Sequence, residues 1–179
     1  PCVVAYTVAA GDTWESLAKV MEKRVEDRYY DTEGYQVLTR VGYARGACKF
    51  EERGRLVEGR YYGEDGAPVL SRDGVAGFVS LYDSQGNLVE ESYFGVDGRQ
   101  AADAAGIARR TFAYDTRGNK TETRLYGPDG RPTLNKDGIS RYHEQYDARG
   151  NSSEYAFSGT GDEPVLWRNE FARVEFRRD

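Results

Sequence analysis

Apolar and polar positions alternate over much of the chain, and the alternation restarts at a fixed interval. The run "AGFVSLYD" (76–83) meets a turn, "LVEESYFG" (88–95) follows, and a further turn leads to the next unit. Period-two alternation bounded by Gly, Asp and Asn predicts short half-buried strands joined by tight turns. The stretch "YDSQGN" at 82–87 returns as "YDTRGN" at 114–119 and as "YDARGN" at 146–151, a step of 32 residues each time. In D-x-x-G, the Asp bonds its own turn backbone and the Gly takes the left-handed position that closes a type I turn with a bulge.

Other columns keep the same step. Gly54, Gly86, Gly118 and Gly150 align, as do Gly34, Gly66, Gly98 and Gly130, and Gly42, Gly74, Gly106 and Gly138. Leu38, Leu70, Ala102, Leu134 and Leu166 form an apolar column, and Tyr43, Val75, Ile107, Ile139 and Phe171 form another. Four full units are placed at 46–77, 78–109, 110–141 and 142–173, after a partial unit at about 25–45 and before a last strand at 174–179. Each unit reads as a hairpin, a second tight turn at x-D-G, and a returning segment of the "PVLSRDG" kind (68–74). One hairpin cannot bury enough apolar surface to fold alone, so the units must stack. The expected fold is all-β: an antiparallel β-hairpin repeat array over 25–179, with an N-terminal strand–helix cap over 1–24. In that cap "VVAYTV" reads as a strand. "GDTWESLAKVMEK" reads as a helix with Trp14, Leu17, Ala18 and Met21 on one face.

Composition narrows the function classes. Charged residues are 31% and the net charge is −5, which argues against nucleic acid as a partner. No apolar run approaches the length of a membrane span. The chain begins Pro1-Cys2 without a methionine, as an excised or processed piece would. Its two cysteines, Cys2 and Cys48, form one bridge or stay as thiols.

Two kinds of column carry candidate chemistry. Tyr30, Tyr62, Phe94 and Tyr126 form one aromatic column, and Phe50, Tyr82, Tyr114 and Tyr146 a second. They are core, or, at Tyr62, Tyr82, Phe94, Tyr114, Tyr126 and Tyr146, a ligand platform combining flat apolar area with polar tips. Glu26, Glu58, Glu90, Glu122 and Glu154 form an unbroken carboxylate column. Five equivalent acids make a structural lattice rather than one asymmetric catalytic site, so no catalytic residue is assigned. Counting outward from Asp83–Gly86 sets Tyr82 opposite Leu88 and Ser80 opposite Glu90, which leaves Glu90 mid-strand and in need of hydrogen-bond partners. The backbone N–H groups of the "PVLSRDG"-type turn are expected to supply them, with the leucine column folded over the same face. Arg45, Arg109, Arg141 and Arg173 (Gly77 the exception) and Arg28, Arg60 and Arg124 are read as a solvated face balanced by glutamate. Asp73, Asp83, Asp115, Asp137 and Asp147 are read as turn residues rather than calcium ligands, and His143 as a substituted strand-surface residue. No metal site and no cofactor is assigned.

The units "YDSQGNLVEESYFGVDGR" and "YDTRGNKTETRLYGPDGRP" resemble the bacterial β-hairpin repeats of YD/Rhs-type and MORN-variant proteins, and "RYYGEDG" and "SYFGVDG" look like the aromatic-plus-turn units of cell-wall-binding repeats. "YTVAAGDTWESLAKVM" is similar to the opening of LysM domains, which bind peptidoglycan and chitin-like glycans; Tyr6, Thr7, Val8, Gly11, Asp12, Thr13 and Leu17 match it. These resemblances imply an exported, non-enzymatic bacterial binding module that recognises a protein partner or a surface glycan. The alternatives are a peptidoglycan binder and a scaffold fragment of a larger toxin or enzyme. Exposed sheet edges also allow self-association.

Overall fold

The computed structural model describes residues 25–177, and every element in that range is a strand. The strands are Val25–Arg28 (β1), Arg45–Phe50 (β2), Leu56–Tyr62 (β3), Gly77–Tyr82 (β4), Leu88–Phe94 (β5), Arg109–Tyr114 (β6), Lys120–Tyr126 (β7), Arg141–Tyr146 (β8), Ser152–Ser158 (β9) and Arg173–Glu175 (β10). They form one antiparallel sheet of successive hairpins whose order follows the chain from β1 to β10. The expected repeat array is therefore present. The expected strand–helix cap at 1–24 lies outside the described residues. The hairpins begin at Arg45, Gly77, Arg109 and Arg141, one residue before the expected unit boundaries, and β10 begins in the same phase at Arg173.

Each unit makes three tight turns. In the hairpin turn, Asp115 N–H donates to Asn119 C=O at 2.9 Å and Gly118 N–H donates to Asp115 C=O at 3.0 Å. Asp115 Oδ1 accepts from the backbone N–H of Arg117 and of Asn119, and its Oδ2 accepts from the Asn119 side chain. Gly118 has φ +82°, which a residue with a Cβ adopts only under strain. The x-D-G turn repeats the backbone pattern at Gly127 and Gly130. The third turn, not separated from the returning segment by the sequence reading, has the same grammar: Asp103 bonds Ile107, Asn135 bonds Ile139, and Gly106 and Gly138 close the turns.

A bulge after the hairpin turn changes the register. It falls between Ala113 and Tyr114, so Tyr114 pairs with Lys120 while Ala113 pairs with Glu122; β8–β9 shows the same step at Gln145/Tyr146. The flush register counted from the turn is thus off by one on the first strand, because a G1-type turn inserts one unpaired residue. The two faces therefore divide differently from expectation. One carries the glutamates together with Ala47, Arg60, Thr111 and Arg124. The other carries Tyr61, Tyr93, Leu125 and Phe157.

The chain divides into two compact units, one up to Ser80 with Phe94–Arg99, the other Leu81–Tyr93 with the chain from Gln100 onward. In the first, Tyr43, Ala44, Val75, Ala76 and Cys48 are buried. Tyr43 stacks on Tyr61 with centroids 4.5 Å apart. Burial pushes the Tyr43 hydroxyl pKa up to about 12. Cys48 is disulfide-bonded, which removes the free-thiol alternative; the other cysteine of the sequence, Cys2, lies outside the described residues. In the second, Ile107, Ala108, Leu125 and Ile139 are buried beneath the returning segments. The leucine column does not cover a sheet face as expected: Leu38, Leu70, Leu134 and Leu166 are all about half exposed. The residues five positions further on, Tyr43, Val75, Ile107 and Ile139, do the covering.

Two measurements test this account. Ile107 is 1% exposed, and Ile107→Ala is expected to cost about 2–5 kcal/mol in urea unfolding, against less than about 0.5 kcal/mol for the half-exposed Leu134→Ala. Hydrogen bonds led by the Asn87 and Asn119 side chains hold the Asp83 and Asp115 carboxyls below their ordinary value of 3.8. A depressed folded-state pKa gives stability present above the ordinary value and lost as pH falls through the lowered one. Asp83→Asn/Asp115→Asn should therefore show a shallower loss of stability below about pH 4 than the parent chain.

Candidate functional site

The glutamate column lies on a face where arginines and aromatic rings recur in a fixed relation. In the first compact unit, Arg45 Nη1 donates to Glu26 Oε1 at 2.9 Å, and its guanidinium lies 3.8 Å from the centroid of Tyr62. In the second, Arg109 Nη1 donates to Glu90 Oε2 at 3.3 Å and lies 4.1 Å from the centroid of Tyr126. Glu122 receives Arg124 on Oε1 at 2.6 Å and Arg141 on Oε2 at 2.7 Å. Arg173 meets Glu154 Oε2 at 2.6 Å. Each unit thus builds a Glu–Arg pair, with an aromatic ring under the guanidinium where the column supplies one. A charge-assisted hydrogen bond and a cation–π contact then satisfy the same guanidinium.

This arrangement corrects the expected loop tie. The partners of the glutamates are arginine side chains, joined by Ser92 at Glu90 and Gln145 at Glu154, and among the described residues no turn N–H reaches the column. The returning segments are tied from the opposite face instead: Arg110 Nη2 donates to Asp103 Oδ2 at 2.6 Å, and Asn135 Nδ2 donates to the Tyr142 hydroxyl. Desolvation by burial raises the Glu122 pKa, but Arg124 and Arg141 outweigh it and hold the carboxyl below its ordinary value.

The array breaks at Gly77. Its column otherwise holds Arg45, Arg109, Arg141 and Arg173. Beside it stands Ala47, in a column otherwise holding Val79, Thr111, His143 and Glu175. Ala47 pairs with Arg60, and Arg60 with Gly77, so the smallest members of two columns flank one arginine across three strands. An open cleft of about 450 Å³, lined by Ala47 and Arg60, lies beside this arginine in the first compact unit. Glu26, Glu58, Lys49, Arg60 and Tyr62 line its floor and one wall, and the turn Gly95–Gly98 forms the other. Arg60 Nε donates to Glu58 Oε1 at 2.9 Å, and its guanidinium leans toward Phe94 at 5.6 Å, a looser contact than in the intact units. A Cβ on Gly77 would sit 2.5 Å from Gly59 O and 3.0 Å from Arg60 Cδ, so this backbone excludes a side chain there.

The aromatic candidates separate into two groups. Tyr62, Phe94 and Tyr126 lie on the Glu–Arg face, each with a guanidinium over its ring. Tyr114 and Tyr146 turn their hydroxyls to the preceding hairpin: Tyr114 Oη donates to Leu88 O at 2.9 Å, and Tyr146 Oη to Lys120 O at 3.1 Å. Tyr82 occupies the same place in β4. His143 lies opposite Glu122 on the glutamate face of β8 and is half-buried there, and its Nδ1 has no hydrogen-bond partner among the described residues. Among those residues no three His, Cys, Asp or Glu side chains converge in a metal-binding cluster, and no helix is long and apolar enough to cross a membrane.

Lys49, Ala47 and the Gly95–Gly98 turn entered the cleft without having been singled out. The signal for them was in the columns: Ala47 and Gly77 are the smallest residues at their positions, and size vacancies on neighbouring strands make space. No protein-family model matches the chain, and no curated protein matches it.

Glu122→Ala removes the common acceptor of two half-buried guanidinium groups. It is expected to destabilise the chain by about 1–2 kcal/mol in urea unfolding. Glu58→Ala, which frees one arginine, should cost less than about half of that.

Proposed function

We propose that this chain is a non-enzymatic, exported bacterial binding module of the hairpin-repeat kind, and that it recognises a protein partner or a surface glycan at the Gly77 cleft. The cleft carries the reading. It is the place where a regular face loses its filler, and its volume falls in the range of ligand sites. Its lining offers an unused carboxylate oxygen at Glu58 and donors at Lys49 and Arg60, beside Tyr62, on whose ring Arg45 already lies. Convergent donors and acceptors beside an aromatic ring suit a polar ligand that needs both. Elsewhere on the face the same groups are consumed by each other.

Two further observations favour binding over catalysis and export over a reducing compartment. The column glutamates stand in repeated Glu–Arg pairs, a lattice rather than one asymmetric acid–base site. Cys48 is disulfide-bonded, and disulfides persist mainly in oxidising compartments. The peptidoglycan reading keeps a specific support in Tyr62, whose ring lines the cleft.

A panel of immobilised peptidoglycan, chitin oligomers and secreted-protein fractions tests the proposal. Tyr62→Ala is expected to weaken capture of the bound member by about tenfold or more while circular dichroism stays unchanged. Tyr146→Ala, away from the cleft, should leave capture unaltered. Equal losses for the two variants, or capture insensitive to both, would remove the cleft as the site.

A further inference from the structure

Among the five column glutamates, Glu58 alone has an oxygen without a described partner. Glu26 takes Arg45 on Oε1 and Arg28 on Oε2. Glu90 takes Ser92 and Arg109, Glu122 takes Arg124 and Arg141, and Glu154 takes Gln145 and Arg173. Glu58 takes Arg60 on Oε1, and no described group reaches its Oε2. The missing donor is the arginine that four sister units carry at the place of Gly77. That arginine would have met Glu58 and the ring of Phe94, as Arg45 meets Glu26 and Tyr62 and Arg109 meets Glu90 and Tyr126.

From this unused oxygen we infer that the cleft takes the guanidinium of an arginine side chain from a protein partner, seated against Glu58 Oε2, the position that the sister units' arginines fill on their glutamates. This deepens the binding-module proposal and rests on it. Three observations bear on the occupant. The site is complementary to a cation at one point: a half-used carboxylate. The sister units display the bound geometry of that same group, with charge-assisted bonds on one side and an aromatic face on the other. The backbone of Gly77 excludes a side chain of its own, so the donor has to arrive from outside. Around it, Glu26 and Asp97 offset Lys49 and Arg60, so an incoming cation meets no net positive wall. A guanidinium matches the site better than an ammonium because it is planar, stacks on a ring, and donates along two directions at once.

The probes are the blocked peptide acetyl-Gly-Arg-Gly-amide, its uncharged citrulline counterpart, and glucosamine oligomers, titrated into the full chain and followed by backbone amide NMR shifts. The arginine peptide is expected to produce saturable shifts confined to Glu58, Arg60 and Gly95–Gly98, at least about tenfold tighter than the citrulline peptide. Glu58→Gln should weaken it by about tenfold or more, whereas Glu122→Gln, on a carboxylate already paired twice, should leave its affinity unchanged. Unchanged amide signals away from the cleft verify that Glu58→Gln is folded. Equal binding of the two peptides, no saturable binding of either, or insensitivity to Glu58→Gln overturns the inference. So does Glu58-dependent binding of glucosamine oligomers with none of the arginine peptide, which would assign the cation to a glycan. If the immobilised panel still captures a partner in a Tyr62-dependent way while Glu58→Gln has no effect, the binding-module reading stands and the arginine assignment alone falls.

Discussion

One residue per unit holds the repeat together through its backbone. The N–H of Leu125 donates to Ser140 of the next unit's entry at 2.9 Å, and its C=O accepts from Thr133 of the returning segment at 3.0 Å. Tyr93 does the same with Ala108 and Ala101, and Phe157 with Ala172 and Val165. A hairpin alone leaves both outer edges unpaired and one face uncovered. Here a single position at the end of each second strand accepts the returning segment and donates to the entry of the following hairpin. Inserting or deleting one residue in the returning segment would break one of those bonds and turn every following side chain to the wrong face. The 32-residue step is strict for that reason.

The two faces of the sheet solve different problems. The face under the returning segments is packed: Ile107, Ile139 and Leu125 bury their side chains, and turn residues such as Asp103 clamp the segment through Arg110. Among the described residues nothing covers the other face. It is held in order by the Glu–Arg pairs, which are half-exposed and individually weak. Their value lies in using up donors and acceptors in a fixed pattern, which keeps an open polar face from offering pairing sites at random.

The array, its period and its turn residues were legible because D-x-x-G and x-D-G encode backbone geometry that only a few residues adopt. Asp115, Gly118 and Asn119 declare their turn without any tertiary context. The face of the glutamates was not legible to the same degree. One extra residue, Thr121, stands unpaired between Lys120 and Glu122 and shifts the register by one; D-x-x-G announces a bulge, but a count outward from the turn that leaves it out sets the first strand off by one. A flush count sets Glu90 opposite Ser80 and points to the loops for its partners; in the fold its partners are Arg109 and Ser92. The arginine columns had been seen and read as balanced by glutamate, but the pairing distances had to come from the fold.

In a repeat, a column that never varies reports what the fold requires in every unit, so the unbroken glutamate series speaks of construction. A single departure reports on one unit. Gly77 lacks an ion pair that four sisters keep, and Ala47, one strand beyond Arg60, lacks the bulk of its column. Neither change is needed by the hairpin turn or by the returning segment, both of which are intact on either side. Restoring the arginine would require the backbone to move, because its Cβ would sit 2.5 Å from Gly59 O. The vacancy makes physical sense when something other than the chain supplies the missing group, and that places the candidate site where the sequence repeats itself least faithfully.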